Sequence, residues 1–226
     1  MCRALCERLG HVVGDLNRSG RWARAAAAAA MTIAGLLLAG LVQAEAKPLP
    51  RETPPLMRTG PAEPTRAWTE FCLRHPGECT VDTSERTVIA LTQDVWQRIV
   101  AVNRDVNERI RAISDREHWG VEDRWDYPDD GAGDCEDIQL LKRKLLIETG
   151  LPRRAMRMTV VIDEEGLGHA VMMIRTDRGD LILDNRRANV LPWSQTGYVY
   201  VKREGQDSIA WVLIEAVASP VATANQ

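Results

Sequence analysis

The chain has 226 residues, of which 45% are hydrophobic and 27% are charged, with a formal charge of −3 at pH 7. This length and apolar content allow one ordinary domain with a buried core and additional extensions. The acidic balance argues against nucleic-acid binding, which requires a positively charged surface.

The N-terminus has the pattern of a secretory signal with a long basic leader. Three arginines precede an apolar run over residues 25–42, and small residues allow cleavage after Ala44 or Ala46. The alternative is an uncleaved membrane anchor over residues 1–46, and both predict an exported, periplasmic protein. Cleavage after Ala44 would leave 24 basic and 30 acidic residues, a formal charge of −6, so we expect no nucleic-acid partner.

The five cysteines fall into three groups. Cys2 and Cys6 belong to the leader, whereas Cys72 and Cys79 flank a Pro-Gly turn and are close enough in sequence to form a disulfide. Cys135 is then the odd cysteine of an exported protein, and chemical reactivity is one reason to retain such a residue.

Composition and periodicity divide the remaining chain. Residues 47–66 are rich in proline and lack apolar periodicity, which predicts a flexible linker. The domain is expected over residues 67–216 and a disordered tail over 217–226. Within the domain, apolar residues at steps of three and four predict one long amphipathic helix over residues 84–114.

The heptapeptide over residues 131–137, Gly-Ala-Gly-Asp-Cys-Glu-Asp, predicts a tight turn followed by a helix. Asp134 is a good N-cap, and Asp137 three residues later gives a variant of the capping box. Cys135 would lie in the first helical turn, where unpaired backbone N–H groups favour a thiolate. A small buried core residue is the alternative interpretation of Cys135.

The helix that begins at Cys135 should end near Thr149, before Gly150 and Pro152. The periodicity then changes to short β runs separated by turn signals, which predicts an α+β fold with an antiparallel sheet. The predicted strands cover residues 156–162, 169–175, 180–183, 197–202 and 209–214.

His169 opens one β run and Asp184 ends the next, so the chain supplies a thiol, an imidazole and a carboxylate in order. A two-residue turn at 178–179 would leave Asp184 about four residues, roughly 13 Å, out of line with His169. A bulge or a slipped register would close this gap. Otherwise Asn185 or Asn189 would orient the imidazole.

Acidic residues surround the candidate nucleophile and suggest a metal site. Hard oxygen ligands suit Ca²⁺ better than Zn²⁺, although residues 126–137 match an EF-hand loop only weakly. Solvated surface acids are the alternative. The six acids are Asp126, Asp129, Asp130, Asp134, Glu136 and Asp137.

The motifs Gly-Asp-Cys-Glu-Asp, Gly-His-Ala-Val and Leu-Asp-Asn together resemble the bacterial transglutaminase-like cysteine proteinases of the periplasm. The similarity covers roughly residues 119–200 and implies a papain-like fold. It also implies calcium-dependent proteolysis of surface adhesins that releases biofilm cells. The resemblance departs from the family at Ile138-Gln139-Leu140-Leu141, where an aromatic-Ala pattern is usual, and this affects substrate identity more than chemistry.

The same resemblance implies Cys135 as nucleophile, His169 as general base and acid, and Asp184 as the residue that orients the imidazole. It further implies Asp134 and Glu136 as calcium ligands, to which we add Asp137. Like-charge repulsion from these three acids would raise the thiol pKa, and a bound calcium ion would cancel it.

The sequence therefore predicts an exported cysteine endopeptidase that acts on a cell-surface or periplasmic protein such as a biofilm adhesin. The adhesin-releasing relatives also suggest an inhibitory membrane receptor as a partner. Two alternatives use the same fold: an acyl transferase of the transglutaminase type, and a binding domain without catalysis.

Overall fold

The structure, a computed structural model, describes residues 47–218. The predicted signal or anchor over residues 1–46 lies outside the described residues, as does the tail beyond residue 218. Within the described part, no helix has the length and apolar character required to cross a membrane.

Four helices precede the main part of the sheet: α1 (Arg66–Arg74), α2 (Gln93–Arg109), α3 (Asp115–His118) and α4 (Cys135–Glu148). The threonine before α1 and the threonine before α2 each accept a hydrogen bond from the backbone three residues on, which fixes the start of both helices. Gly150, with φ of 88°, ends α4.

Seven strands form one antiparallel sheet in the order β1-β9-β8-β4-β5-β6-β7. A separate parallel pair joins β2 and β3. The strands are β1 (Gly60–Ala62), β2 (Arg111–Ala112), β3 (Ala132–Gly133), β4 (Met156–Ile162), β5 (Gly168–Thr176), β6 (Gly179–Leu183), β7 (Leu191–Pro192), β8 (Val199–Glu204) and β9 (Trp211–Ala218).

The sheet is apolar on both faces because its strands alternate buried side chains between two cores. Met172 and Ile174 of β5 face α2 and α4, whereas Val171 and Met173 face a second core with Tyr200. Helix α4 therefore packs on the centre of the sheet, and the predicted α+β fold with a central helix on an antiparallel sheet is confirmed.

The predicted bounds of the long helix, residues 84 and 114, are both wrong, because the helix spans Gln93–Arg109. Ile89 instead forms an isolated parallel bridge with the end of β5, and Thr92 caps a helix that begins only at Gln93. After Ile110 the chain turns into β2, whose partner β3 leads directly to Cys135. Apolar spacing alone does not distinguish these buried extended residues from helical ones.

The segment predicted as a flexible linker, residues 47–66, differs from that expectation. Thr53 N donates to Arg178 O at 3.1 Å, and Leu56 N donates to the buried carboxylate of Asp180 at 2.7 Å. Strand β1 then extends the sheet along β9. Proline favours extended backbone, and here that backbone finds hydrogen-bond partners on the domain.

The C-terminal boundary also differs from the predicted one. Strand β9 continues through Ala218, so residues 217 and 218 belong to the sheet rather than to a tail that begins at 217. The predicted disulfide between Cys72 and Cys79 is present and joins α1 to the following 3₁₀ turn.

Candidate active site

Cys135 is the first residue of α4, directly after the short strand β3. Its Sγ lies 3.4 Å from the backbone nitrogen of Ala170 on β5 and 3.0 Å from Oε2 of Glu136. Gly133 allows β3 to lie close to the first turn of α4, because a Cβ there would lie 2.8 Å from the Cβ of Asp137. The turn and the helix start predicted from the heptapeptide are both found.

The side chain of Asp134 does not make the predicted capping hydrogen bond. Asp134 occupies the N-cap position, but neither of its carboxylate oxygens accepts a hydrogen bond from a residue between 47 and 218. Asp137 accepts a hydrogen bond from Asp126 N at 2.7 Å, and a backbone hydrogen bond from Asp134 also acts to lower the pKa of Asp137.

His169 and Asp184 are buried and in direct contact, with 3.0 Å between His169 Nε2 and Asp184 Oδ1. The Tyr198 hydroxyl donates to the other oxygen of the carboxylate. Burial acts to raise the pKa of Asp184, but the hydrogen bond and charge of His169, with the bond from Tyr198, lower it to about 2. The carboxylate is therefore ionised and holds the imidazole ring in place.

The register of the β5–β6 hairpin explains how these two residues meet. The hairpin turns at residues 177–178, one residue earlier than the sequence analysis assumed. Leu183 is the last paired residue of β6, and Asp184 continues opposite a position two residues after His169. Residues two apart on a strand share a face, so the contact is diagonal and needs no bulge.

The two asparagines considered as alternatives to Asp184 lie elsewhere. The side chain of Asn189 accepts a hydrogen bond from Lys47 at 3.1 Å, and the backbone of Asn185 faces Gln139. Of the three predicted candidates, Asp184 is the one in contact with His169.

Cys135 and His169 line one narrow cleft of about 20 Å³ between the start of α4 and strands β4 and β5. Both residues are buried, with 1% and 2% of their surfaces exposed. The aromatic residue Trp125 is one of the lining residues. The others are Thr65, Asp123, Glu136, Val160 and Ala170.

A cluster of acids lies beside this cleft. Oxygen atoms of Asp115, Asp134 and Asp137 lie within 4.8 Å of one another, as do those of Asp115, Asp123 and Glu136. Four of the five residues are buried, and Asp123 is partly buried. Between residues 47 and 218, no group donates a hydrogen bond to Asp134 Oδ1, Asp134 Oδ2, Glu136 Oε1 or Asp115 Oδ1.

Burial strongly perturbs these carboxyl groups. It raises the pKa of Asp134 to about 6, with the charge of Asp115 adding to the shift, and that of Asp137 to about 8. Burial also raises the pKa of Glu136 well above its ordinary value. A buried carboxylate oxygen without a donor is unfavourable unless a cation balances it, and the oxygen-only donor set suits Ca²⁺.

Of the predicted metal residues, Asp134 lies in one group of possible ligands with Asp137 and in another with Glu136, whereas the other acids of the sequence motif belong to none of these groups. Asp126 pairs with His75 and Arg124, Asp130 pairs with His118, and Asp129 is exposed.

Asp115 and Asp123 were not predicted, because they lie on α3 and on an irregular segment far from the cysteine motif in sequence. The one local signal, Ser114 as an N-cap before Asp115, indicates a helix start and not a ligand.

The segment between Cys72 and Cys79, which the disulfide closes, supports one wall of the site. Arg74 donates to Trp125 O at 2.5 Å, and His75 lies 3.1 Å from the carboxylate of Asp126. Asp126 N in turn donates to Asp137 of the acid cluster. A covalent link outside the site is thus connected, through residues 125–127, to both the cleft and the acids.

One family model and several solved structures are similar to this chain. The family model described as bacterial transglutaminase-like cysteine proteinase matches residues 58–219. A solved structure of Legionella pneumophila LapG is 24% identical with a TM-score of 0.46, covering 57% of this chain and 72% of that one. Calcium-bound LapG is 24% identical with a TM-score of 0.47, covering 55% and 72%.

No curated protein matches the chain significantly. The family model, however, covers most of the chain and includes the cleft, the acid cluster and every strand from β4 to β9. The chain belongs to the bacterial transglutaminase-like cysteine proteinases and is a cysteine peptidase.

Proposed function

We propose that the peptidase cleaves its substrate through Cys135 as nucleophile, His169 as general base and acid, and Asp184 as the residue that orients the imidazole. The observation that carries this proposal is that Cys135 and His169 line the same cleft. His169 is also hydrogen-bonded to Asp184. The start of a helix also favours the ionised sulfur.

The proposed reaction follows from the donor and acceptor positions. With Nε2 of His169 held by Asp184, the exchange of a proton with sulfur falls to Nδ1. The sulfur attacks the peptide carbonyl carbon, the C–N bond breaks, and the imidazolium passes its proton to the leaving amine. Water, deprotonated by the same imidazole, then hydrolyses the thioester and restores the thiol.

The negative oxygen of the tetrahedral intermediate needs hydrogen-bond donors close to the sulfur. The backbone N–H of Cys135, in the first turn of α4, is suited to this role because the first N–H groups of a helix have no partner within it.

We further infer that calcium binds to Asp134, Glu136 and Asp137, with Asp115 and Asp123 as additional donors. The oxygens without hydrogen-bond donors and the raised pKa values of these buried carboxyl groups support this assignment. The ion would supply positive charge beside the sulfur, which favours the thiolate over the thiol. In this proposal the protein's own Cys135 and His169 carry out the chemistry.

The proposed substrate is a protein outside the cytoplasm, such as a cell-surface adhesin, as the family resemblance implies. The signal-like leader and the Cys72–Cys79 disulfide support export to the periplasm, because disulfides persist in oxidising compartments. An inhibitory membrane receptor is proposed on the same resemblance.

The test compares cells that carry wild-type protein with cells that carry Cys135→Ala, with and without calcium. We expect surface proteins to be released by wild-type cells in calcium and retained by the variant. Product analysis with an added amine separates hydrolysis from acyl transfer. Equal release by both strains would refute Cys135 as the nucleophile.

A further inference from the structure

The turn that follows β6, residues 184–188, carries the carboxylate that contacts His169. We call it the Asp184 turn. Its backbone is held by buried and half-buried side chains from two helices. Asn107 of α2 donates through Nδ2 to Asp184 O at 2.8 Å and to Arg187 O at 3.0 Å. The position of Asp184 thus depends on contacts outside its own strand.

A second amide, Gln139 of α4, lies on the other side of Asp184. Its side chain is fully buried, and one amide orientation satisfies both polar atoms. In that orientation the nitrogen donates to Leu183 O and the oxygen accepts from Asn185 N, each at 3.2 Å. Gln139 therefore binds the backbone immediately before and immediately after Asp184.

Gln139 lies four residues after Cys135 in the same helix. Residues four apart lie on one face of a helix, one turn from each other. The rigid start of α4 consequently fixes two things at once: the position of the sulfur and the position of the Asp184 backbone. A helix offers a more rigid support for this geometry than a loop does.

A third amide extends the same network to the far end of the turn. The buried Lys142 donates through Nζ to Asn103 Oδ1 at 2.9 Å, which directs Asn103 Nδ2 toward Arg187 O and Ala188 O at 3.0 and 3.3 Å. Burial lowers the pKa of Lys142 to about 7, against the opposing effect of the charge of Asp184.

We propose that Gln139 and Asn107 are positioning residues of the peptidase, which hold the Asp184 backbone so that its carboxylate stays aligned with His169. This inference rests on the proposed triad. Both side chains act through the backbone around Asp184. Loss of either amide would let the Asp184 carboxylate drift from Nε2 of His169 and would weaken the hydrogen bond between them.

The first test is Gln139→Met, which keeps the volume and removes both hydrogen bonds. Two readouts are taken in full-length protein with calcium: the NMR resonance of the His169 Nε2 proton, and the alkylation profile of Cys135, which is the time course of its reaction with iodoacetamide at pH 7 followed by mass spectrometry. We expect the His169 proton resonance to move upfield or to broaden, and the alkylation rate to fall by up to about tenfold.

The matched control is Leu140→Met, at the next buried position of α4, which packs in the core formed with Trp68 and Met158. It should leave the alkylation profile unchanged. An equal shift in this control would assign the effect to repacking and overturn the proposal. If Gln139→Met does not fold, as judged by circular dichroism, Asn107→Leu provides the same test from α2.

A double-mutant cycle with Asp184→Asn separates this inference from the proposed triad. Asp184→Asn alone should lower the alkylation rate of Cys135, and Gln139→Met added to it should give no further decrease. Independent decreases that multiply would overturn the positioning role alone. An unchanged profile in Asp184→Asn would refute the triad and, with it, this inference.

Discussion

The carboxyl group of Asp184 accepts hydrogen bonds from His169 and from Tyr198 in a buried setting. This environment makes its ionised form more favourable in the folded protein than in the unfolded chain, which has an ordinary aspartate pKa of 3.8. Linkage between protonation and folding then gives a prediction for the pH dependence of stability.

Because the folded-state pKa is depressed to about 2, the stabilisation from Asp184 is complete above about pH 4 and is lost as the pH falls toward 2. At neutral pH it amounts to at most about 2 kcal/mol. Urea unfolding should show that Asp184→Asn is destabilised at pH 7 and that its difference from wild type shrinks toward pH 2.5. Asp105→Asn, an exposed partner of Arg109, is the control and should show no such trend.

The acid cluster predicts a pH dependence of folding stability that is opposite to that of Asp184. Burial raises the pKa of Asp137 to about 8, so in a chelator its ionisation destabilises the fold progressively as the pH rises from about 4 to 8. Calcium should therefore increase the melting temperature most at the upper end of that range. A concentration one hundred times the dissociation constant would contribute about 2.7 kcal/mol.

Differential scanning calorimetry with calcium or EGTA checks this prediction at pH 5 and pH 8. Glu136→Gln should lose the calcium response, whereas Glu148→Gln, an exposed acid at the other end of α4, should keep it. A calcium response that is unchanged in Glu136→Gln would contradict the proposed ligand set.

At the scale of elements, the close approach of β3 to α4 shapes the site. A Cβ on Gly133 would lie 2.8 Å from the Cβ of Asp137 and 3.1 Å from that of Pro128. Gly133→Ala should therefore displace β3 from the first turn of α4 and destabilise the fold by about 1–3 kcal/mol. The alkylation rate of Cys135 should fall as well.

Gly60→Ala in β1 is the matched control, since a Cβ there meets no atom within 4 Å. Urea unfolding and Cys135 alkylation of both variants test the prediction. Equal behaviour of the two variants would show that the packing of β3 against α4 does not constrain the sulfur.

The helix that carries Cys135 and the five main strands could be predicted from the sequence because their signals are local. Turn residues, a strong stop at Gly150 and alternating apolar residues mark their ends. The start of α2 was missed, because Ile89 is buried through a contact with the end of β5 that lies far away in sequence. Local periodicity carries no information on such a partner.

The site can also be divided into features that local sequence signals predict and features that depend on distant contacts. The residue types at 135, 169 and 184 could be selected from sequence motifs, and their catalytic roles stay predictions. The alignment of Asp184 with His169 could not be predicted, because it depends on a one-residue shift in the hairpin turn. Asp115 and Asp123 also required the structure, since tertiary packing alone brings them to the acids beside Cys135.

At the scale of the whole molecule, the disulfide and the N-terminal segment hold the outer parts of the domain in place. The Cys72–Cys79 bond closes a loop with a sequence separation of 7. In the loop-entropy description, a crosslink of this length stabilises the folded state by about 2.5 kcal/mol. Replacing both cysteines by serine should lower the urea midpoint accordingly.

The same double variant should also lower the alkylation rate of Cys135, because the crosslinked segment supports Trp125 and Asp126 beside the cleft and the acid cluster. Thr69→Ser, on the exposed side of α1, serves as the control and should leave both measurements unchanged. A lower urea midpoint with an unaffected alkylation rate would show that the brace stabilises the fold without shaping the site.

Under the proposed export, the location of this crosslink bears on when the peptidase becomes active. A newly made chain in a reducing cytosol would lack the bond between Cys72 and Cys79, so its cleft wall would be poorly supported. Oxidation after export would then complete that support, and full activity would develop away from the proteins of the cytosol.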